Sequence, residues 1–421
     1  MYNGLSLDQA PPISVVMRFF ITVPFFGILL SALLFFYPDT VLIPNHPFSL
    51  ASIHLMFLGV ITMAMLGALF QMQSVLGGRP IPAPAGNAFL IHLFLLLGII
   101  ALTLAFTLLY PPLFIVAAVF LGSSILYGVK LILPLLFNGT SHDTLQGMKI
   151  ALFALSLTAL LGIVMATEYA NEAFGTMHEM LRTIHYSLGL IGWIAVLIIA
   201  VAFQVVEMFY VTPSYSPWCK RNAFNIIAGA LGFKTLWLVE GLPFVWVFDA
   251  IIGALLMGFI ATTLKRLLKR KRRVSDVSIW FWLLGMGLLF LSLGLYGTYV
   301  ASGSELFQTM ALIAYVLFAL SIILGMMGKI IPFLIWFHLN SAGYMDTPIM
   351  SNIITYSRAK ALFVLFTLTV FFTLFGVIYN DLLRLGAMMG IAMFGLLLYN
   401  IISALKMYRY TLHHGMRFEQ M

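Results

Sequence analysis

Twelve apolar runs, each at least about 17 residues long and so able to cross a bilayer, leave this chain few ways to fold. They lie near residues 15–37, 52–76, 87–109, 112–137, 147–167, 180–210, 222–242, 245–268, 277–300, 305–338, 357–380 and 385–410. A backbone inside hydrocarbon must satisfy its own N–H and C=O groups, which a helix does within one segment. The sequence therefore predicts an all-α polytopic membrane protein of twelve transmembrane helices, one integral membrane domain over residues 1–421. The seventh run is the weakest, because Lys234 and Glu240 interrupt it. Prolines punctuate the boundaries: Pro80, Pro82 and Pro84 follow the second run, and Pro111 and Pro112 separate the third from the fourth.

Composition agrees and removes other classes. Hydrophobic residues make up 62% of the 421 and charged ones 9%, with a mean hydropathy of +1.05. No soluble domain needs that much apolar surface. The +8 net charge is thus loop charge beside an anionic lipid face and carries no nucleic-acid signal. One cysteine, Cys219, excludes an internal disulfide and any multi-cysteine metal or iron–sulfur site. The first residues lack the basic start, short apolar core and small-residue cleavage site of a removable signal, so the first segment is expected to be retained.

Lys and Arg placement orients the segments. With both termini cytoplasmic, 18 of the 22 Lys and Arg fall in inner loops and tails, including the run Lys265 to Arg273. Only Arg182 and Arg384 fall outside, and Lys234 and Lys329 lie within segments. That bias fits a twelve-segment, multi-pass protein with both ends cytoplasmic, with its partner the lipid bilayer itself.

Three stretches repeat a pattern. Ile53 to Gly78 and Ile184 to Pro213 both open Ile-His, pass through a Gly-containing apolar middle and reach Phe-Gln. The His-to-Gln spacing is 17 in the first (54 to 71) and 19 in the second (185 to 204). A third stretch, Met310 to Phe333, has Lys329 where the others have Gln71 and Gln204. Such repeats point to one structural unit used three times around a pseudo-threefold axis. Glu207 lies one turn past Gln204, and a Lys329–Glu207 pair would let both charges sit in lipid. These four residues read either as interhelical glue or as a polar pathway.

Of nine histidines, His46, His54, His178 and His185 fall at or just below the outer surface. His54 and His185 occupy equivalent places on the repeated unit, and imidazoles from two facing helices are a normal way to hold a porphyrin iron in a bundle. His178 precedes His185 by two helical turns, about 10.5 Å along the axis, too far to share its iron. The 24 Met are scattered, which suits packing better than copper handling. Nothing resembles a phosphate-binding Gly loop or a nucleophile motif.

With IHLMFLGVITMAMLGALFQM, LGLIGWIAVLIIAVAFQVVEMFYVTPSYSPW and GKIIPFLIWFHL, the chain resembles subunit I of the heme–copper oxidase superfamily. More closely, it is similar to oxidase-like relatives and to heme-binding membrane proteins of the bacterial nitric-oxide response. The resemblance covers essentially the whole chain and implies an oxidase-like fold. It implies that His54 is an axial ligand of a b-type heme and that His185 stands at a copper-ligand position. The family's seventh segment carries His-His and its tenth opens with His-x-His; here NAFNIIAGALGFKTLWLVEG and SELFQTMALIAYVL have neither. A three-histidine copper site is therefore not expected, nor is oxygen reduction.

What the resemblance implies is a heme-linked role. It is electron transfer, sensing or handling of NO or O2, or supply of heme or metal to respiratory enzymes, with a quinol, a cytochrome or a respiratory complex as partner. For the second axial ligand, His185 is expected, Met310 at the family's segment-ten position is the reserve, and His178 is the third candidate. The alternative class is a secondary transporter using Glu207 and Lys329, though two similar six-segment halves would suit it better than three units.

Overall fold

The computed structural model describes residues 10–76, 80–137, 142–271 and 276–417. Arg79, Arg272 and Arg273, counted above among the inner charges, and the side chain of His142 lie outside the described residues. Twelve helices are long and apolar enough to cross a membrane. They are α1 (Ile13–Phe36), α2 (Pro47–Gln73), α3 (Pro84–Leu108), α4 (Pro112–Phe137), α5 (Asp143–Asn171) and α6 (His178–Tyr210). The others are α7 (Pro217–Val239), α8 (Trp246–Leu268), α9 (Val277–Ser302), α10 (Glu305–Ser341), α11 (Tyr356–Gly376) and α12 (Asn380–His414). No strand occurs among the described residues, where the single extended pairing is an isolated bridge between Tyr344 and Arg417.

Each helix matches one apolar run. Several continue into polar turns beyond the expected limits, as α5 does at Asp143 and α12 at His414. Pro47, Pro84, Pro112 and Pro217 stand in the first turns of α2, α3, α4 and α7. There the missing N–H costs no helical hydrogen bond and the fixed φ favours initiation.

Among the described residues, α4 ends in a 3-10 turn over Leu133–Phe137, and two other spans widen within the membrane. The backbone of α2 widens to a π-helix over Leu55–Thr62, and that of α6 over Leu188–Ala195. The third repeat copy, in α10, is α-helical along its whole length. The copies that bring a histidine are thus the ones that carry a π stretch.

By its contacts the chain divides into two compact units. The first comprises residues 1–71, 275–288 and 306–421, which hold α1, most of α2, the beginning of α9, and α10 to α12. Here α1 packs on the π stretch of α2 and on α12 through glycines. A Cβ on Gly59 would stand 2.7 Å from Cγ of Phe26, and one on Gly27 would stand 2.5 Å from the Phe394 ring. Close approach over small residues is how helices associate where no hydrophobic force separates them from lipid. The start of α9 is tied to α10 by Ser321 Oγ, which donates to the Phe281 carbonyl at 2.7 Å.

The second unit comprises residues 72–274 and 289–305, which hold α3 to α8 and the end of α9. Ser124 Oγ donates to the Ile91 carbonyl at 2.7 Å and joins α4 to α3. The π stretch of α6 packs on α5 where a Cβ on Gly192 would stand 2.6 Å from Cβ of Ala154.

Both π stretches are therefore seated by a glycine with no room to spare. Gly59→Val and Gly192→Val are expected to lower stability by about 1–3 kcal/mol through overpacking. Gly232→Val on α7, where an added Cβ meets nothing within 4 Å, should change little. Thermal unfolding of the three variants in one detergent checks this; equal melting of all three would contradict it.

Candidate functional site

The histidines differ in how their rings are held. His54 ends the first α-helical part of α2 and adjoins the π stretch, and its Nδ1 lies 2.7 Å from the Leu50 carbonyl oxygen. His185 lies three residues before the π stretch of α6, with Nδ1 2.9 Å from the Thr158 carbonyl oxygen of α5. A carbonyl oxygen only accepts, so Nδ1 carries the hydrogen in both rings and Nε2 the lone pair of the neutral imidazole. Both histidines are half-buried. Gly162 makes room for the second ring: a Cβ there would stand 3.2 Å from Cε1 of His185.

His178 is oriented by a carboxylate. Its Nδ1 lies 2.6 Å from Oε2 of Glu168, and the other oxygen of that carboxylate accepts from the Gly175 amide at 3.3 Å. The Phe174 and Tyr169 rings pack edge-on against the imidazole at 5.0 and 5.9 Å. His46, the fourth of the outer group, has the opposite arrangement. Its Nδ1 accepts from the Phe48 amide at 3.2 Å and caps the first turn of α2, so its hydrogen resides on Nε2. This ring spends its Nδ1 lone pair as a helix cap. Met310 is half-buried near the start of α10. His54 and Met310 belong to the first unit, and His178 and His185 to the second.

The polar residues at the far ends of the repeats are engaged differently from the expectation. Glu207 and Lys329 each have their own partner. Oε1 of Glu207 accepts from Lys220 Nζ at 2.8 Å and from the Tyr215 amide at 2.7 Å, while Lys329 pairs with Asp276. The Glu207 carboxylate thereby fastens the turn between α6 and α7. Arg266 stacks its guanidinium 4.2 Å over the Tyr215 ring and donates to the Ser214 carbonyl. Burial pushes the Tyr215 phenol well above its ordinary pKa, against the opposing pull of Thr263 and Arg266, so it stays neutral. Gln204 is half-buried. Gln71 is buried, with Oε1 lacking a hydrogen-bond partner among the described residues.

One charge cluster escaped the sequence reading. Lys234 on α7 is 6% exposed and places Nζ 2.6 Å from Oδ1 of Asp249 on α8. The Tyr296 hydroxyl of α9 donates to the other carboxylate oxygen at 3.0 Å. The sequence signal was available: opposite charges straddle the short α7–α8 turn. Glu168 beside His178 was missed in the same way.

Among the described residues no group of three or more His, Cys, Asp or Glu side chains converges as a bound metal ion would require. A heme iron asks its protein for only one or two ligands. No family model matches the sequence, and no curated protein is significantly similar to it.

Proposed function

We propose that the chain is a b-type heme-binding protein of oxidase-like fold, in a bacterial inner membrane with both termini cytoplasmic. One observation carries the reading: His54 and His185 are prepared alike. Each has Nδ1 bonded to a backbone carbonyl, that of Leu50 in its own helix for His54 and that of Thr158 in α5 for His185, and each stands within three residues of an eight-residue π-helix. A ligating histidine usually donates its other ring N–H to a carbonyl or carboxylate, which fixes the tautomer and aims the ring. π-Helical turns are rare and concentrate at functional sites. Two matched cases on two repeat copies favour ligation over a pair of interhelical hydrogen bonds.

His54 in the first unit and His185 in the second would each present Nε2 to a heme iron. The Leu50 carbonyl orients the first ring and the Thr158 carbonyl the second, and Gly162 makes room for His185. Bound heme would supply one-electron redox chemistry or a site for a diatomic gas. The role is electron transfer, NO or O2 sensing or handling, or respiratory heme supply, with a quinol, a cytochrome or a respiratory complex as partner. A transporter reading needs Glu207 and Lys329 available to substrate, and both are held in ion pairs.

Spectroscopy of single substitutions tests the ligand set. His185→Ala is expected to abolish the low-spin heme spectrum, and Met310→Leu to leave it. An unchanged spectrum in His185→Ala would contradict the assignment, with Met310 the ligand if Met310→Leu turned high-spin and His178 the next to test if it did not. The orientation has its own check. In a Cys219→Ser background, Ser275→Cys (Ser275 lies outside the described residues) should react with an impermeant thiol reagent only from the cytoplasmic side. Labelling from outside would invert the map.

A further inference from the structure

Helices α3, α4 and α5 enclose a groove of about 830 Å³ in the second unit. One stripe of α4 lines it, from Ile115 through Val119 and Ser123 to Tyr127 and Lys130; these residues recur every three or four positions and share a helix face. Its depth comes from Gly122, where a Cβ would stand 2.7 Å from Cδ1 of Ile163, so α4 and α5 meet closely at the floor. From Ile115 to Lys130 is about 22 Å by helix rise. That exceeds the roughly 15 Å depth of one leaflet, half of a hydrocarbon core, so the groove has the length for a whole acyl chain.

The groove is apolar along most of its length and polar at one end. There the Tyr127 hydroxyl donates to Oδ1 of Asn87 at 2.7 Å, and Nδ2 of Asn87 donates to the Pro82 carbonyl at 2.7 Å. Beside them lies Lys130, exposed and the one charged residue of the lining. Lys220, Lys234 and Lys329 each pair with a carboxylate. Lys130 has no carboxylate partner among the described residues. An ammonium on a transmembrane helix extends its stem along apolar surface and brings its head to the interface. The anion it meets there is a lipid phosphate.

We propose that this groove binds one anionic phospholipid, with an acyl chain along α4 and its phosphate on Lys130. A zwitterionic lipid offers the same phosphate with a cation of its own, so the anionic headgroup is preferred. The attraction of one lysine for an anionic lipid surface corresponds to about fivefold in affinity. This proposal stands independently of heme binding.

Native mass spectrometry of the full chain, released from micelles containing equal phosphatidylglycerol and phosphatidylcholine, tests it. The wild type should retain one phosphatidylglycerol, about fivefold over phosphatidylcholine. Lys130→Gln should lower that retention to the phosphatidylcholine level. Ser123→Phe, which fills the groove from an exposed position, should abolish retention of both. Equal retention of the two lipids by the wild type, or unchanged phosphatidylglycerol retention in Lys130→Gln, would overturn the proposal. Displacement of the lipid by a neutral isoprenoid would do the same.

Discussion

Lys234→Met is expected to destabilise the protein by about 3 kcal/mol, the low end of the cost of breaking a buried ion pair, because the Asp249 side chain it leaves unpaired is half-buried. Asp249 accepts from Lys234 on one oxygen and from Tyr296 on the other. Removing the ammonium leaves the neutral Tyr296 phenol as its one donor among the described residues. The pair is not for that reason a large net contributor, because desolvating both ions offsets most of their attraction. Lys234→Met combined with Asp249→Leu should therefore recover most of the loss, since it removes both charges at similar volume. Thermal unfolding in a single detergent reads all three proteins. A Lys234→Met variant as stable as the wild type would show that the Asp249 carboxylate does not need the ammonium.

His54→Ala is expected to purify with most of its heme missing. The comparison that gives this weight is His46→Ala, eight residues earlier. His46 Nδ1 accepts from the Phe48 amide and caps α2, whereas His54 Nδ1 donates to the Leu50 carbonyl. His46→Ala should accordingly cost about 1 kcal/mol of stability, as a lost helix cap does, and keep the heme. Heme content per protein, measured on both variants from cells supplied with excess heme, decides it. Retention in His54→Ala with loss in His46→Ala would reverse the roles given to the two rings.

The twelve spans were legible because crossing hydrocarbon requires a long apolar run whatever the tertiary packing, and because boundary prolines such as Pro84 and Pro112 open helices. The π stretches were not. Leu55–Thr62 and Leu188–Ala195 are apolar like their surroundings, and the side chains they pack against, Phe26 and Ala154, are distant in sequence. The ligand-type histidines were visible through their repetition, but not the carbonyls that set their tautomers. The separation of 27 positions between Thr158 and His185 hides that partnership. Charge pairing was misjudged for a similar reason. Glu207 and Lys329 stand at related repeat positions, yet Lys220 is one turn-forming loop from Glu207, and Asp276 opens the helix before the one that carries Lys329. A short connection brought a nearer partner to Glu207, and the antiparallel return of α10 along α9 brought Asp276 to Lys329.

The most direct measurement is the absorption spectrum of the full-length protein, purified from cells with ample heme and reduced with dithionite. The heme reading predicts a Soret band with resolved bands of a low-spin b-type heme, at a stoichiometry of at least one per chain. A colourless protein that is folded and stays colourless after heme is added would contradict it.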